Sequence, residues 1–447
     1  MPPRGGTGHV GRLVEDFHSS DITMDMPVEV HGSNPHSLIT QEHVLSVLQA
    51  DKGTDAKLIS WVIEDFTKKG DNMATFVTSV TVNYFQGEKK GKVSYVVKLN
   101  PCRSGAEFNA IAVKLFIKES KFYCDFVPAL NSVLKSAGQP PLRVPNCFYF
   151  TLETGEEAIF LEDLRPRGFR MTETGFQGTD FAHTMLLMRE IARLHAASWA
   201  LQRKRPEQDL GERFNCLTIS FMEGPDLQYL GKIMTRGIGV AILMLEHIGG
   251  YDKVVDWANK HRTSSTDVMC DMLRSSPPFD VACHGDMHIN NLLFRYNDEG
   301  EPIEIMLLDH QANRVASMAT DLNYFLFLNL TGDVRKPNLD TLLRTYFNTF
   351  KQVVEGSGEI LTFSFEEFRQ EFVDKHRFGL IYALFVAPIL IQHVDDFPDA
   401  EELFQTTSEE ISEEEKVNIL KALDANHALR KKFLAVYDEM LETGLFD

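Results

Sequence analysis

The sequence predicts an α+β fold in two lobes, a small five-stranded sheet lobe carrying one long helix and a large helical lobe. Three observations predict it. Runs alternating β-branched or aromatic residues with polar ones crowd into the first third of the chain. Beyond Glu162 the apolar spacing changes to the helical period. Inside that helical region only two short strand patterns appear, joined by one turn. The chain therefore divides into an N-terminal extension (residues 1–35), a sheet lobe (36–161) and a helical lobe (162–447).

The elements follow in order. Residues 1–35 lack periodicity and carry scattered Gly, Pro and Ser, the mark of a mobile extension. Thr40 is placed to cap a short helix running to Leu48. Residues 57–66, 74–85 and 92–99 read as three strands, with Gly87-Glu88-Lys89-Lys90-Gly91 as the turn between the last two. An amphipathic helix spans residues 108–136, and strands at 144–150 and 158–161 complete the sheet. In the helical lobe, residues 181–201, 239–247, 266–274, 339–354, 365–391 and 410–442 fit helices. The two strands lie at 291–296 and 303–308, turned at Asn297-Asp298-Glu299-Gly300. The apolar run 378–391 holds Gly379 and Pro388. It is shorter than the roughly 20 residues a membrane span requires, so it reads as a buried helix kinked or ended at Pro388.

Bulk properties exclude several classes. The 447 residues allow a large core, and 43% hydrophobic with 24% charged residues is ordinary for globular protein. A formal charge of −19 argues against nucleic-acid binding, which draws on surplus Lys and Arg. Residues 395–447 hold 15 acidic against 5 basic side chains, which supplies −10 of that total and reads as a solvated helical face. Nothing marks an obligate protein partner. The six cysteines form no C-x-x-C pair, and the polar, glycine-rich start has no secretory apolar segment. Both features point to a reducing compartment, the cytoplasm.

The chemistry concentrates in His284-Gly285-Asp286-Met287-His288-Ile289-Asn290-Asn291, followed by Leu307-Leu308-Asp309. Phosphoryl transfer asks little covalent work of a protein; it needs a carboxylate to orient the attacking hydroxyl and oxygen ligands for Mg²⁺. Asp286 opens the loop, Asn291 closes it where the hairpin begins, and the hairpin brings Asp309 back beside Asn291. Carboxylate and amide oxygens suit a hard ion that takes the rest of its shell from water and ATP phosphates. The order H-x-D-x-x-x-x-N…D is that of a kinase catalytic loop and its metal ligands.

At these residues the sequence resembles the aminoglycoside phosphotransferase and choline kinase superfamily, and within it the ecdysteroid kinase-like (CHK kinase-like) family. Further segments match in the family's order: Gly70-Asp71-Asn72-Met73-Ala74-Thr75, Tyr95-Val96-Val97-Lys98, Phe116-Ile117-Lys118-Glu119, Leu161-Glu162-Asp163-Leu164, Leu194-His195-Ala196-Ala197-Ser198 and Asp321-Leu322-Asn323-Tyr324. Asp309-His310-Gln311 stands where a protein kinase has D-F-G, and no A-P-E follows. Many family members have Trp at the place of His288 and Phe at that of His310; neither change removes a ligand.

The resemblance implies a protein-kinase-like bilobal fold, with ATP in the cleft between the lobes and a small-molecule hydroxyl as phosphoryl acceptor. Ecdysteroid-like sterols are the family's named precedent. It implies Asp286 as the catalytic base or hydroxyl-orienting carboxylate, Asn291 and Asp309 as Mg²⁺ ligands, and Lys98 as the cation on the α/β-phosphates. Lys98 needs a carboxylate to fix its stem; the inserted helix offers Glu119, with Glu107 as rival. Asn72 and Thr75 sit where a phosphate-covering loop belongs. Glu162 and Leu164 lie in the connector, whose backbone would meet adenine, and Asp163 is better suited to local capping. His195 reads as a core histidine bracing the catalytic loop, and Asp321 as a helix N-cap that could also anchor the metal loop. A choline- or aminoglycoside-type kinase of polar substrates and a catalytically silent pseudokinase are the competing readings.

Overall fold

The computed structural model describes residues 34–66, 75–101, 106–173, 178–218, 224–392 and 411–446. Most of the predicted extension, Asn72, the side chain of Glu107 and Glu409-Glu410 lie outside the described residues. Within the described residues the chain forms two compact units. One takes residues 34–66, 75–101, 106–120 and 146–163; the other takes 121–145 and 164–446.

The first unit grows from one antiparallel ladder. Helix α1 (Gln41–Lys52) is capped by Thr40, whose hydroxyl accepts from the His43 amide at 3.2 Å. Its Val44, Val47 and Leu48, at the i, i+3, i+4 spacing, are buried against Val80, Val82, Tyr95, Val97 and Phe160. Strands β1 (Ala56–Asp65), β2 (Phe76–Gln86), β3 (Lys89–Leu99), β4 (Cys147–Thr151) and β5 (Ala158–Glu162) lie in the order β1-β2-β3-β5-β4. Pairing of β2 with β3 runs to Gln86↔Lys89, so the turn is tighter than the sequence suggested. Successive side chains alternate across a strand, so Tyr95, Val97 and Leu99 enter the core and Lys98 is turned to the other face.

The single helix expected at 108–136 is three pieces: α2 (Ala106–Lys121), a π turn (Phe122–Phe126) and α3 (Val127–Ser136). Pro128 gives the physical reason. It has no N–H for the Cys124 carbonyl, and its ring crowds that carbonyl, so the preceding turn widens.

The second unit is mainly helical. It holds α4 (Phe181–Arg203), α5 (Leu210–Arg213), α6 (Gly224–Ile248), α7 (Asp252–His261) and α8 (Ser265–Leu273). After the strands described below come α9 (Met318–Asn329), α10 (Gly332–Gly356), α11 (Phe365–Asp374), α12 (His376–Gln392), α13 (Glu413–Ala425) and α14 (His427–Glu442). Helix α9 is buried along its whole length, its Asp321, Asn323 and Asn329 each hydrogen-bonded there. Its last carbonyls are satisfied by Arg335, whose Nη1 donates to Leu326 O and Leu330 O at 2.9 and 2.8 Å. The run expected as one helix at 365–391 is broken at Lys375, and α12 passes through Pro388 to Gln392. The 410–442 run is likewise split, at Asn426. Among the described residues no helix is long and apolar enough to cross a membrane.

Strand content exceeds the expected hairpin. β6 (Phe169–Arg170) joins β8 (Leu292–Tyr296) and β9 (Pro302–Leu307) in a three-stranded sheet, and β7 (Asp280–Cys283) pairs with β10 (Arg314–Ser317). The α+β class stands: a small antiparallel sheet and a large helical part.

Candidate functional site

Residues 280–329 form one device: strand β7, a loop, the β8–β9 hairpin, a second loop, strand β10 and helix α9. The register of β7 with β10, Cys283↔Arg314 through Asp280↔Ser317, brings the start of the first loop beside the end of the second. At the hairpin base Leu292 pairs with Leu307, and the Leu308 amide donates to Asn291 O at 2.9 Å. Asn291 is thereby held beside Leu308, with Asp309 the next residue. Asp309 has φ 62°, a left-handed angle uncommon for a residue other than glycine, at the point where the chain turns off the strand. One of its oxygens accepts from Gln311 Nε2 at 3.1 Å.

Gly285 permits the sharp entry to the first loop. Its φ is +85°, and a Cβ there would lie 2.1 Å from Ala312 O, so neither the angle nor the space admits a side chain.

Asp286 is gripped at both carboxylate oxygens. Asn291 Nδ2 donates to Oδ2 at 3.0 Å and also to the Asp286 carbonyl at 3.0 Å. The Tyr324 hydroxyl donates to Oδ1 at 2.9 Å. The Asn291 amide nitrogen is thus committed to Asp286, which leaves its carbonyl oxygen for another partner.

The loop backbone is pinned from below. Asp321 Oδ2 accepts from the His284 amide at 2.6 Å and Oδ1 from the Gly285 amide at 3.0 Å. His195 Nε2 lies 3.2 Å from Asp321 Oδ2, and its Nδ1 lies 2.7 Å from the Tyr346 hydroxyl. Burial alone would raise the Asp321 pKa; the bond and charge of His195, with Arg314 and His284, hold it below the ordinary value. His284 links the two loops. Its Nδ1 accepts from the Asp286 amide at 3.3 Å, so Nε2 carries the proton donated to Leu308 O at 2.8 Å. Asn329 clasps the far side, donating to Met287 O and accepting from the Ile289 amide, both at 3.0 Å.

His195, Cys283 and Asp321 offer ligand atoms within 4.8 Å of one another, yet a metal there is poorly served. Both Asp321 oxygens and both His195 nitrogens already have partners. Burial, together with the nearby Asp321 charge, holds the Cys283 thiol well above its ordinary pKa, so it is no thiolate.

Of the two histidines at which the sequence departs from the family, His288 caps a short turn, its Nδ1 accepting from the Asn290 amide at 3.3 Å, and His310 packs. His310 is buried and stacks on Phe122, ring centroids 3.8 Å apart at 8°. Burial lowers the His288 pKa to about 4; Asp286 opposes the shift and Lys432 adds to it, so the ring is neutral near pH 7.

In the other unit, Lys98 Nζ donates to Glu119 Oε1 and Oε2 at 2.8 and 2.7 Å, with both side chains nearly buried. Thr75 is buried at the start of β2, while its companion Asn72 is outside the described residues. Glu162 ends β5, its amide donating to Asn146 O at 2.8 Å and its carboxylate accepting from Asn146 Nδ2 at 2.8 Å. Asp163 accepts from the Ser94 hydroxyl at 2.5 Å, a bond to a residue 69 positions away on β3 and not the local capping expected of it. Leu164, already in the helical unit, belongs to a small apolar cluster with Phe169 and Met306, and its carbonyl accepts from the Arg167 and Phe169 amides.

Sequence reasoning misplaced one residue and missed two. The N-cap of α9 is Ser317, whose hydroxyl accepts from the Ala319 amide at 3.3 Å. Asp321 lies inside the helix instead, free to reach the loop. Tyr324 and Asn329 went unread as site residues. The i, i+3 spacing of Asp321 and Tyr324 was the available signal, since it sets both on one helical face.

A sequence model of the ecdysteroid kinase-like family matches residues 69–358. No curated protein matches. Among solved structures, an ethanolamine kinase from Plasmodium vivax aligns over 83% of this chain and 84% of its own at 12% identity and TM-score 0.34. The GDP complex of wild-type aminoglycoside 2'-phosphotransferase-IIIa aligns over 89% and 99% at 11% identity and TM-score 0.40. Choline kinase LicA from Streptococcus pneumoniae aligns over 87% and 99% at 12% identity and TM-score 0.35.

Proposed function

The chain belongs to the ecdysteroid kinase-like family, and from that premise we propose that it is an ATP-dependent small-molecule kinase acting on a hydroxyl. The observation that carries the reading is the doubly held Asp286 carboxylate, with Asn291 bonded to it and Asp309 returned to the same hairpin base. In this reading the acceptor O–H gives its proton to Asp286 as its oxygen bonds to the γ-phosphorus. The bond from that phosphorus to the β–γ bridging oxygen breaks, and ADP leaves with the electron pair.

The donor set suits Mg²⁺. Asn291 Oδ1 and the Asp309 carboxylate are hard oxygen ligands, and the Asn291 amide nitrogen is already taken by Asp286. Bound there, Mg²⁺ would neutralise phosphate charge. Lys98, held by Glu119, would bind the α/β-phosphates as a compact cation, and Glu119 keeps its stem from wandering. Thr75 and Asn72 are assigned to the phosphates and the backbone at Glu162 and Leu164 to adenine. The Glu162 amide and Leu164 carbonyl already bond within the fold, so other backbone groups of that connector must supply these contacts.

Aromatic rings pack beside Asp286. Tyr324 and Tyr382 lie against each other at 4.0 Å, and Tyr382 also contacts Phe378 and Phe385 at 5.0 and 5.1 Å. The guanidinium of Arg314 sits 5.8 Å over Phe378. These rings pack on one another, with Tyr324, Phe378 and Phe385 buried, so they select no acceptor; the lipophilic alcohol, of ecdysteroid or xenobiotic type, is proposed from the family's precedent. Retention of Lys98, Asp286, Asn291 and Asp309 favours an active enzyme over a silent binding protein. The test is an ATP-consumption screen over lipophilic and amino alcohols with products identified by mass. A phosphorylated lipophilic alcohol, absent with Asp286→Asn, is expected. Consumption of ATP only with amino alcohols would overturn the acceptor class, and Asp286→Asn with undiminished turnover would overturn the mechanism.

A further inference from the structure

We propose that Tyr324 is a positioning residue of the phosphotransfer, its hydroxyl fixing the rotation of the Asp286 carboxylate opposite Asn291. The inference rests on the kinase reading above and assigns a role to a residue outside its ligand set. A carboxylate oxygen accepts about two hydrogen bonds, and the terminal torsion of Asp is soft. One partner alone would leave the group free to swing. Here Asn291 Nδ2 holds Oδ2 at 3.0 Å and the Tyr324 hydroxyl holds Oδ1 at 2.9 Å. Each oxygen keeps one acceptor position, and an incoming hydroxyl meets it in a set direction.

Tyr324 is well placed to be the rigid partner. It is 5% exposed on α9, the helix buried along its whole length, and its ring is braced against Tyr382 at 4.0 Å and 31°. The same helix carries Asp321 and Asn329, which hold the loop backbone on either side of Asp286. One helix therefore sets both the loop's path and the carboxylate's plane. Burial, reinforced by Asp286, raises the phenol pKa well above its ordinary value, so the hydroxyl remains a donor.

The test uses the full chain and phosphate release from Mg·ATP, with water as the acceptor. Tyr324→Phe keeps the ring and its stack and deletes only the donor. Loss of a bond to a charged group should lower kcat roughly ten- to hundredfold. The KM for Mg·ATP should stay within about twofold, because only orientation is lost. A kcat within about twofold of wild type, with Asp286→Asn inactive, overturns the role of Tyr324 and leaves the kinase reading standing. A fall in kcat accompanied by weaker Mg·ATP binding and a lowered Tm marks a structural residue and also overturns it. If Asp286→Asn is undiminished, both readings fall; should wild type not hydrolyse ATP, the same variants are read with the alcohol found by the screen as acceptor. Should Tyr324→Phe not fold, fluorinated tyrosines at position 324 keep the shape and vary donor strength; kcat should follow phenol acidity, and a flat series overturns the proposal.

Discussion

Breaking the Lys98–Glu119 pair should be costly one residue at a time and much less than additive when both are changed. At 2.7 Å the two charges attract by about 6 kcal/mol at an effective dielectric of about 20. Desolvation offsets much of this, since the side chains are only 10% and 2% exposed. The net value of the pair is therefore small, but the cost of removing one partner only is about 3–5 kcal/mol. Lys98→Met removes the ammonium that both Glu119 oxygens bond; Glu119→Leu removes the carboxylate that holds the ammonium. The double variant removes both charges, so it should lose no more than the worse single, a coupling of at least about 3 kcal/mol. Hydrogen exchange across Lys89–Leu99 and Ala106–Lys121 reads the effect inside the unit that holds the pair, where global unfolding would average two units. Turnover should follow the same pattern: Lys98→Met depresses it strongly, Glu119→Gln less, and the double little more than Lys98→Met. Additive losses in protection and in turnover would refute the coupling and reopen Glu107 as the partner.

Three further outcomes follow from the second unit. Asp309→Ala should weaken Mg·ATP binding and turnover together, because deleting a metal ligand removes charge compensation for the phosphates; unchanged affinity by calorimetry would remove Asp309 from the ligand set. Gly285→Ala should destabilise by roughly 2–4 kcal/mol and abolish turnover, since its Cβ would meet Ala312 O at 2.1 Å under a positive φ; a near-native urea midpoint would contradict that geometry. Burial lowers the His376 pKa to about 4, with Arg335 adding to the shift and Asp374 opposing it. The fold thus favours the neutral ring: its contribution is complete above pH ~6.5 and falls as pH drops from there toward ~4, by up to about 3 kcal/mol. His376→Phe, beside Phe327 and Phe372, should flatten the acid limb of urea midpoint against pH, and an unchanged slope would exclude His376 as its source.

What the sequence disclosed divides by range. Thr40 and its helix were legible because a cap and an i, i+3, i+4 stripe are settled within a dozen residues, and β1 to β3 because period-two alternation runs long enough to be counted. The residues with the strongest chemical signature, Asp286, Asn291 and Asp309, fall inside one 24-residue stretch whose middle is a hairpin, so local structure alone brings them together. β7 and β10 were missed because four residues cannot show a period, and Val281-Ala282-Cys283 would suit a buried helix equally well. The long helix was overcounted because its apolar pattern continues through Phe122–Phe126, while the signal that breaks it is the single Pro128. Asp321 was misread as a cap because an acidic residue near a helix start resembles one; Ser317 already fills that place, and Asp321 anchors the loop backbone, its second expected role. The holders of the loop, Asp321, Tyr324 and Asn329, reach Asp286 and its neighbours across 36 to 42 residues, and no local pattern encodes such contacts. The groups assigned to bind and react are thus written in short range, and the groups that set their angles in long range. Substitutions along α9 should accordingly alter turnover without touching a motif that a sequence comparison would weigh as catalytic.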